Sequence, residues 1–306
     1  MRREDLDWLL AGPAWVRYAV QSQLLDIEPD ARPVLEDEAV QRVLQRLKSR
    51  ETGLPALSAG KVHYTDTGKA YWDLFFLADI GLTVKDLGLE PEAEEVFRFQ
   101  LPDGNFRIPP NVQPDYVCMS AILLASLARM GYRDDIRVRD YVRAAMNSQL
   151  TNGGWDCYGD NYGHDSCPMD DMNVLMLLAN YENQRENPAL RNAIDHLLSH
   201  REEGRHLYGF GTGKRFHALQ YPAVKYGILR VLDVLSLYPY AVDSRAFISM
   251  LDHVHGKERN GRYTPEAAEP VYKDFDFGQT NEPSRWLTFI INRIEKRAGV
   301  LHLPAA

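Results

Sequence analysis

The sequence predicts an all-α protein built from helical hairpin repeats with a period of about 50 residues. A Leu-Ala pair closes three apolar helical stretches, at Leu77, Leu127 and Leu178, so the spacings are 50 and 51 residues. A turn signature, Gln-x-x-Asp/Asn-Gly-x-aromatic, recurs in step with these pairs. It occurs at residues 100–106 and 149–155, and in a variant form at 257–263. No segment combines strand periodicity with hairpin turns strongly enough to indicate a sheet.

Each repeat predicts an amphipathic outer helix, a turn, an irregular loop and a more apolar inner helix. Asp or Asn before Gly supplies the backbone geometry that ends a helix, and the following aromatic residue packs back over that end. The outer helices at 92–99 and 140–149 keep a charged face, whereas residues 116–128 are apolar nearly all round, as an inner helix requires. Six inner helices are predicted, at residues 13–26, 67–82, 114–131, 168–183, 219–237 and 281–297.

Open helical superhelices are the competing repeat architecture. Tetratricopeptide repeats have a period near 34 residues, and HEAT and armadillo repeats have periods of about 40 to 47. The period of this chain and its glycine-aromatic turn disfavour both. We therefore expect one repeat domain over residues 1–306.

Composition and charge exclude several classes of protein. A net charge of −8, with no run of Lys or Arg, disfavours nucleic-acid binding, which needs a basic face. No stretch approaches about 18 apolar residues, so no transmembrane segment is expected. The N-terminus lacks the apolar core of a signal peptide, and three cysteines fit reduced thiols, so a cytoplasmic location is predicted.

The turn segments resemble the QW-type motifs of the terpenoid cyclase and protein prenyltransferase superfamily. The segments at 100–106 and 149–155, the variant at 257–263 and the register of the inner helices extend this resemblance over most of the chain. It implies an (α/α)6 toroid whose cavity opens where the inner helices begin. Members of the superfamily act mostly on isoprenoid chains, so a small apolar or isoprenoid substrate is implied here.

One branch of the superfamily suggests acid catalysis. Squalene and class II diterpene cyclases carry a D-x-D-D motif that protonates an alkene, and residues 168–171 of this chain resemble it without the first carboxylate. The resemblance gives Asp170 as proton donor, with Asp171 and Asp115 as further candidate catalytic carboxylates. Such an acid must be kept protonated by burial or hydrogen bonds. The alternative is that Asp170 and Asp171 only complement a helix dipole. Those cyclases also usually carry a second helical domain, for which 306 residues leave no room.

A second branch suggests zinc. Protein prenyltransferase β subunits bind zinc through Asp-x-Cys at the start of one inner helix and a His near the start of the next. Asp165, Cys167 and His217 resemble this set, although His217 lies a turn earlier than the family's ligand. Zn²⁺ accepts these three ligand types in a tetrahedron and leaves a fourth position for a substrate thiolate or water. The alternative is an ordinary polar loop with a buried thiol.

Basic and aromatic residues near the expected cavity mouth are candidates for substrate binding. Cationic side chains favour a diphosphate, and aromatic rings favour an isoprenoid chain or a carbocation. The alternatives are surface cations and plain core aromatics. The predicted substrate-binding residues are Lys214, Arg215, Lys225, Tyr71, Trp72, Tyr116 and Tyr221.

These observations predict a prenyltransferase-like or terpene cyclase-like enzyme. Two other classes stay open: a toroid that binds a ligand or protein without chemistry, as complement thioester domains do, and a carboxylate-based (α/α)6 carbohydrate enzyme, for which Asp274 and Asp276 supply acids. A prenyltransferase-like subunit would also need a protein partner, and a homo-oligomer is a further possibility. The mass in size-exclusion chromatography tests the oligomeric state.

Overall fold

The structure, a computed structural model, describes residues 1–108, 117–156, 166–203, 209–223 and 226–304. Over these ranges it is helical, and its β-structure is limited to isolated bridges between Gln100 and Phe106 and between Arg259 and Arg262. The all-α class is therefore confirmed. In chain order the α-helices are α1 (Arg3–Leu10), α2 (Ala14–Gln23), α3 (Arg32–Leu35), α4 (Glu38–Lys48), α5 (Ala70–Ile80), α6 (Val84–Leu87), α7 (Glu90–Phe97), α8 (Val117–Leu127), α9 (Ile136–Asn147), α10 (Pro168–Leu178), α11 (Glu182–Arg185), α12 (Arg191–Glu203), α13 (Lys214–His217), α14 (Ile228–Leu235), α15 (Pro239–Val242), α16 (Arg245–His255) and α17 (Arg285–Arg297).

The chain divides into two compact units. Unit 1 comprises residues 1–41 and 198–306, and unit 2 comprises residues 42–197. Within the parts of the chain that the structure describes, every helix is too short or too polar to cross a membrane. Closure of the repeats into a toroid, and a single domain over 1–306, stay predictions.

The core of unit 2 is formed by α5, α8 and α10. Helix α8 packs against both of the others, and every residue of α5 and α10 is buried. These helices can be buried on all sides because their sequences are apolar nearly all round. The inner helices predicted at 67–82 and 168–183 are present as the shorter α5 and α10, and the helix predicted at 114–131 is present as α8 from Val117, where the described chain resumes.

The core of unit 1 is formed by α2, α14 and α17. Helix α17 packs against both α2 and α14, and α1 and α16 cover α2 and α14. The inner helices predicted at 13–26 and 281–297 are confirmed as α2 and α17. Helix α2 is shorter than predicted at both ends, and α17 begins later than predicted.

The helix predicted at 219–237 is wrong over its first residues, because α14 begins only at Ile228. Residues 219–223 are not helical. Leu219 instead exchanges hydrogen bonds with Glu266: its N–H donates to Glu266 Oε2 at 2.8 Å, and its carbonyl accepts from the Glu266 N–H at 2.7 Å. Pro222 also disfavours a helical conformation for the residue before it.

The glutamines of the two turn segments make the same connection in successive repeats. Gln100 Nε2 donates to the carbonyl of Arg137, in the first turn of α9, at 3.0 Å. Gln149 Nε2 donates to the carbonyl of Ala189, just before α12, at 2.9 Å. Each glutamine therefore ties the end of one outer helix to the start of the next, which confirms the 49-residue register of these segments.

The glycine in the second turn predicts a measurable stability difference. Gly153 has φ +91°, and a Cβ there would lie 2.5 Å from the Asn192 Cβ. Gly131 has φ +107°, but a Cβ there meets nothing within 4 Å. Positive φ costs a residue with a Cβ about 1 kcal/mol or more, and overpacking adds about 1–3 kcal/mol. In chemical denaturation we expect Gly153→Ala to lose clearly more unfolding free energy than its control Gly131→Ala; equal losses would contradict the packing described here.

Candidate active site

In each of four helices, the residue three positions after the first residue of the helix is polar and buried. Each of these side chains is 0% exposed, and each bonds to chain that precedes its own helix. The Ser120 hydroxyl donates to the Phe106 carbonyl at 3.3 Å, and Thr288 Oγ1 accepts from the Tyr263 N–H at 3.2 Å. Buried polar groups at equivalent positions that hold the preceding segment indicate an architectural role. The four residues are Asp73 in α5, Ser120 in α8, Asp171 in α10 and Thr288 in α17.

Asp171 is the α10 member of this set and accepts three hydrogen bonds. Its carboxylate accepts from the Trp155 N–H, from Ser166 Oγ and from His196 Nδ1, each at 2.8 Å. Burial raises the pKa of Asp171, and the bonds from His196, Trp155 and Ser166 oppose that rise. Asp171 therefore fixes the aromatic residue of the 149–155 turn on the first turn of α10.

The Ser166, His196 and Asp171 side chains do not form a nucleophilic triad. Ser166 Oγ and Asp171 Oδ2 both lie 2.8 Å from the same nitrogen, His196 Nδ1. In a catalytic triad the serine and the aspartate contact opposite nitrogens of the imidazole, so that the ring can pass a proton between them. This cluster instead holds Asp171 in place.

Asp170, the residue before, occupies a helix position that is apolar elsewhere. It is two residues after the start of α10 and is 0% exposed. The corresponding position is buried and apolar in four other inner helices, whereas in α14 it is Arg230, at 6% exposure. A buried carboxyl at a position of this kind is costly unless it has a function or a partner. The apolar equivalents are Val16, Trp72, Met119 and Leu287.

Contacts connect the starts of α5, α8 and α10 at one end of the unit 2 core. Tyr64 joins two of them: its hydroxyl lies 3.9 Å from Met169 Sδ, and its carbonyl accepts from Trp72 Nε1. The Tyr71 hydroxyl is buried without a hydrogen-bond partner among the described residues. Burial, with a smaller effect of Cys118, raises the pKa of Tyr71 well above its usual range. Predicted residues Tyr71, Trp72, Asp170 and Asp171 thus belong to one end of the unit 2 core.

The other predicted site residues do not join this group within the described chain. Asp115, Tyr116, Asp165 and Lys225 lie outside the described residues. In unit 1, Lys214 and Arg215 are exposed on the short helix α13, and Tyr221 is buried, with its ring 5.0 Å from that of Phe277 and 5.5 Å from that of Trp286. His217 also lies in unit 1, and Cys167 lies in unit 2.

The zinc prediction stays untested. Cys167 is buried at 4% exposure, and its N–H donates to the Trp155 carbonyl at 2.8 Å. Across the ranges that the structure describes, no group of three or more His, Cys, Asp or Glu residues could hold a metal ion. The predicted set includes Asp165, which lies outside those ranges.

Sequence reasoning missed Tyr64, Cys118 and His196. Tyr64 precedes α5 in an irregular segment, and His196 lies on outer helix α12, 25 residues after the carboxylate that it contacts. No motif marks either of them. The different roles of Asp170 and Asp171 had a usable signal, because Asp171 shares its helix position with Asp73, Ser120 and Thr288.

Comparisons with known proteins give information about the fold alone. No family model matches the chain, and no curated protein sequence matches it. Among solved structures, the chain is similar to a single-residue variant of the type II terpene cyclase MstE from Scytonema, in complex with its substrate geranylgeranyl dihydroxybenzoate. The TM-score is 0.38 and the identity 14%, over 94% of this chain and 88% of that one. A likeness of this size supports a terpene cyclase-like fold at most and carries no argument about the site.

Proposed function

We propose that this protein is a terpene cyclase-like enzyme that begins its reaction by protonating a carbon–carbon double bond of an isoprenoid substrate, with Asp170 as the proton donor. The observation that carries the proposal is the complete burial of Asp170 at a helix position where α2, α5, α8 and α17 have apolar residues. A carboxyl group at this position has an acidic proton to donate, which the apolar residues of the other helices do not have.

Two opposing influences suit Asp170 to this task. Burial disfavours the charged form of a carboxyl group, and protonation of an alkene needs the uncharged form. The N-terminal end of α10 favours negative charge, which stabilises the carboxylate once the proton has left. An alkene is a weak base, so its protonation needs an acid that is both protonated at rest and strong when it reacts.

Asp171 has a supporting role in this proposal. Its carboxylate accepts three hydrogen bonds, from Trp155, Ser166 and His196. These bonds fix the first turn of α10, and the Asp170 backbone with it. Asp171 is therefore a positioning residue, whereas the D-x-D-D-like segment by itself does not distinguish the roles of the two aspartates.

The aromatic residues at the start of α5 complete the proposed chemistry. Protonation of the double bond adds hydrogen to one carbon and leaves a cation on the other, and a second double bond of the same chain attacks that cation to close a ring. Loss of a proton from the final cation returns a neutral isomer of the substrate. Tyr71 and Trp72 offer π-faces of the kind that stabilise such cations.

The proposal is tested by supplying isoprenoid substrates and looking for isomeric products. Suitable probes are squalene, geranylgeraniol, geranylgeranyl diphosphate and geranylgeranyl dihydroxybenzoate, with products separated by gas or liquid chromatography and identified by mass spectrometry. We expect at least one probe to give a cyclic product of unchanged mass. Binding of these probes without any conversion would favour the non-catalytic alternative.

Zinc assistance is the second candidate, because Cys167 places a buried thiol at the residue before α10 and therefore close in sequence to Asp170. Zinc would be held by Asp165, Cys167 and His217 and would supply Lewis acidity. We expect cyclisation by Asp170 to continue in the presence of a chelator. About one zinc per chain, lost in Cys167→Ala together with activity, would instead support the zinc candidate; plasma mass spectrometry of untagged protein measures the metal.

A further inference from the structure

A cavity of about 360 Å³ in unit 1 takes no part in the proposed reaction. It lies between the first turn of α1, the turn at 258–263 and the second half of α17. Its volume is at the lower end of the range for small-molecule sites, about 300–1,000 Å³. The polar side chains of its lining are Arg2, Asp5, Glu258, Tyr263, Asn292 and Glu295.

Two buried side chains of this lining have a polar atom that makes no hydrogen bond among the described residues. Tyr263 is 3% exposed, and Asn292 is 7% exposed. The Tyr263 backbone is fixed, since its N–H donates to Thr288 Oγ1 at 3.2 Å and its carbonyl accepts from the Ser284 N–H at 2.8 Å, but its hydroxyl has no such contact. Asn292 Nδ2 donates to the Thr288 carbonyl at 2.7 Å, which leaves Oδ1 open. Buried polar atoms are nearly always paired, so these two indicate a polar ligand.

The two glutamates of the lining each keep an open carboxylate oxygen. Glu258 Oε1 accepts from the Gly261 N–H at 2.9 Å, and Glu295 Oε1 lies 2.7 Å from His255 Nε2. The second oxygen of each has no hydrogen bond within the part of the chain that the structure describes. Burial raises the pKa of Tyr263 well above its usual range, and the negative charges of Glu295 and Glu258 raise it further. The hydroxyl and the two carboxylates therefore belong to one site.

The donors of the lining, in contrast, are engaged. Arg2 donates to Asp5 through Nε at 2.7 Å and through Nη2 at 3.0 Å, and its Nη1 lies 2.6 Å from Glu4. The Met1 ammonium, which also lies at the cavity, donates to the His302 carbonyl at 3.0 Å. The open atoms are thus three acceptors, two of them on carboxylates, and one hydroxyl. A ligand that complements them carries N–H donors and a positive charge.

A metal ion is not the cation that this lining suits. Across residues 1–108, 117–156, 166–203, 209–223 and 226–304, no three His, Cys, Asp or Glu side chains could hold a metal ion, so the three carboxylates of the cavity do not share one. An alkylammonium ion differs in that its hydrogens point in three directions and its carbon chain fills volume. Such an ion can reach acceptors that are spread over the wall of a cavity.

We propose that this cavity binds a small organic cation with a primary ammonium group. The ammonium donates charge-assisted hydrogen bonds to Glu258 and Glu295. The Asn292 amide oxygen and the Tyr263 hydroxyl supply the further polar contacts. This site is independent of Asp170 and of the proposed cyclisation.

The test is isothermal titration calorimetry of the whole protein with 1,4-diaminobutane at pH 8, with ionic strength held constant by sodium chloride. We expect saturable binding of one diamine per chain. Butane-1,4-diol has the same length but no charge, and choline has a charge but no N–H donor. Each should bind at least about tenfold more weakly than the diamine, because each lacks the charge-assisted hydrogen bonds.

Two variants test the assigned contacts. Glu258→Gln removes the charge of an exposed carboxylate and should weaken binding of the diamine by about tenfold or more. Tyr263→Phe keeps the buried ring, removes only the hydroxyl and should weaken binding about fivefold. The matched control is Asp7→Asn: Asp7 lies on α1 like Asp5, but its side chain is 64% exposed and outside the lining, so this variant should bind like the wild type.

Three results would overturn the proposal. The first is no saturable binding of 1,4-diaminobutane to the wild type. The second is butane-1,4-diol or choline binding as tightly as the diamine, which would remove the ammonium from the recognition. The third is unchanged affinity for the diamine in folded Glu258→Gln. If that variant fails to fold, Tyr263→Phe decides the question, and unchanged affinity there contradicts the site in the same way.

Discussion

Replacing Asp170 with asparagine is expected to lower turnover of an isoprenoid substrate by about a thousandfold, within the range that general acid catalysis contributes. Asparagine has nearly the same shape and can occupy the same buried position, but it has no acidic proton. Because the amide is uncharged and nearly isosteric with the carboxyl group, it should also be tolerated at this position, which is 0% exposed. The measurement is the initial rate of product formation, with thermal unfolding of the variant recorded alongside.

Two further variants serve as controls for Asp170→Asn. Asp170→Glu restores the acid at an altered position and should recover part of the lost rate. Tyr71→Phe removes a buried hydroxyl that has no hydrogen-bond partner among the described residues, so it should leave stability unchanged or slightly raised. Wild-type turnover in a folded Asp170→Asn protein would remove Asp170 from the reaction.

Replacing Asp171 with alanine is expected to cost about 3 kcal/mol of unfolding free energy, the largest stability effect that we predict. The change leaves the Trp155 N–H, Ser166 and His196 without their common acceptor. Removing one side of a buried, charged hydrogen-bond cluster typically has an effect of this size. Urea denaturation, followed by tryptophan fluorescence, measures the loss.

Ser120→Ala is the matched control, since Ser120 holds the equivalent position in α8. Its hydroxyl makes one hydrogen bond, of 3.3 Å, to the Phe106 carbonyl. We expect a loss of about 1 kcal/mol for this single neutral bond. If Asp171→Ala were no more destabilising than Ser120→Ala, the supporting role of Asp171 would be refuted.

The helices were the most predictable part of this protein. Apolar stretches that are hydrophobic nearly all round, such as α8, have few alternatives to a buried helix. The glycine-aromatic turns mark where the preceding outer helices end. The failure at 219–223 has a long-range cause, because Leu219 is hydrogen-bonded to Glu266, 47 residues away. A contact of that range leaves no trace in helical periodicity.

The candidate site was predictable only in part. A D-x-D-D-like segment draws attention to Asp170 and Asp171 together, but adjacent residues on a helix point about 100° apart, and packing decides which of them meets the turn segment. The structure shows that Asp171 does so through the Trp155 N–H.

The most direct test of the central claim is to run the reaction in D₂O. Protonation of a double bond by Asp170 uses a proton that exchanges with solvent, so the cyclic product should carry one deuterium on carbon and be one mass unit heavier than the product made in H₂O. Asp170→Asn should form either product about a thousandfold more slowly. A cyclic product without deuterium, or one that appears only with release of diphosphate, would contradict initiation by an acid and assign the first step to another group.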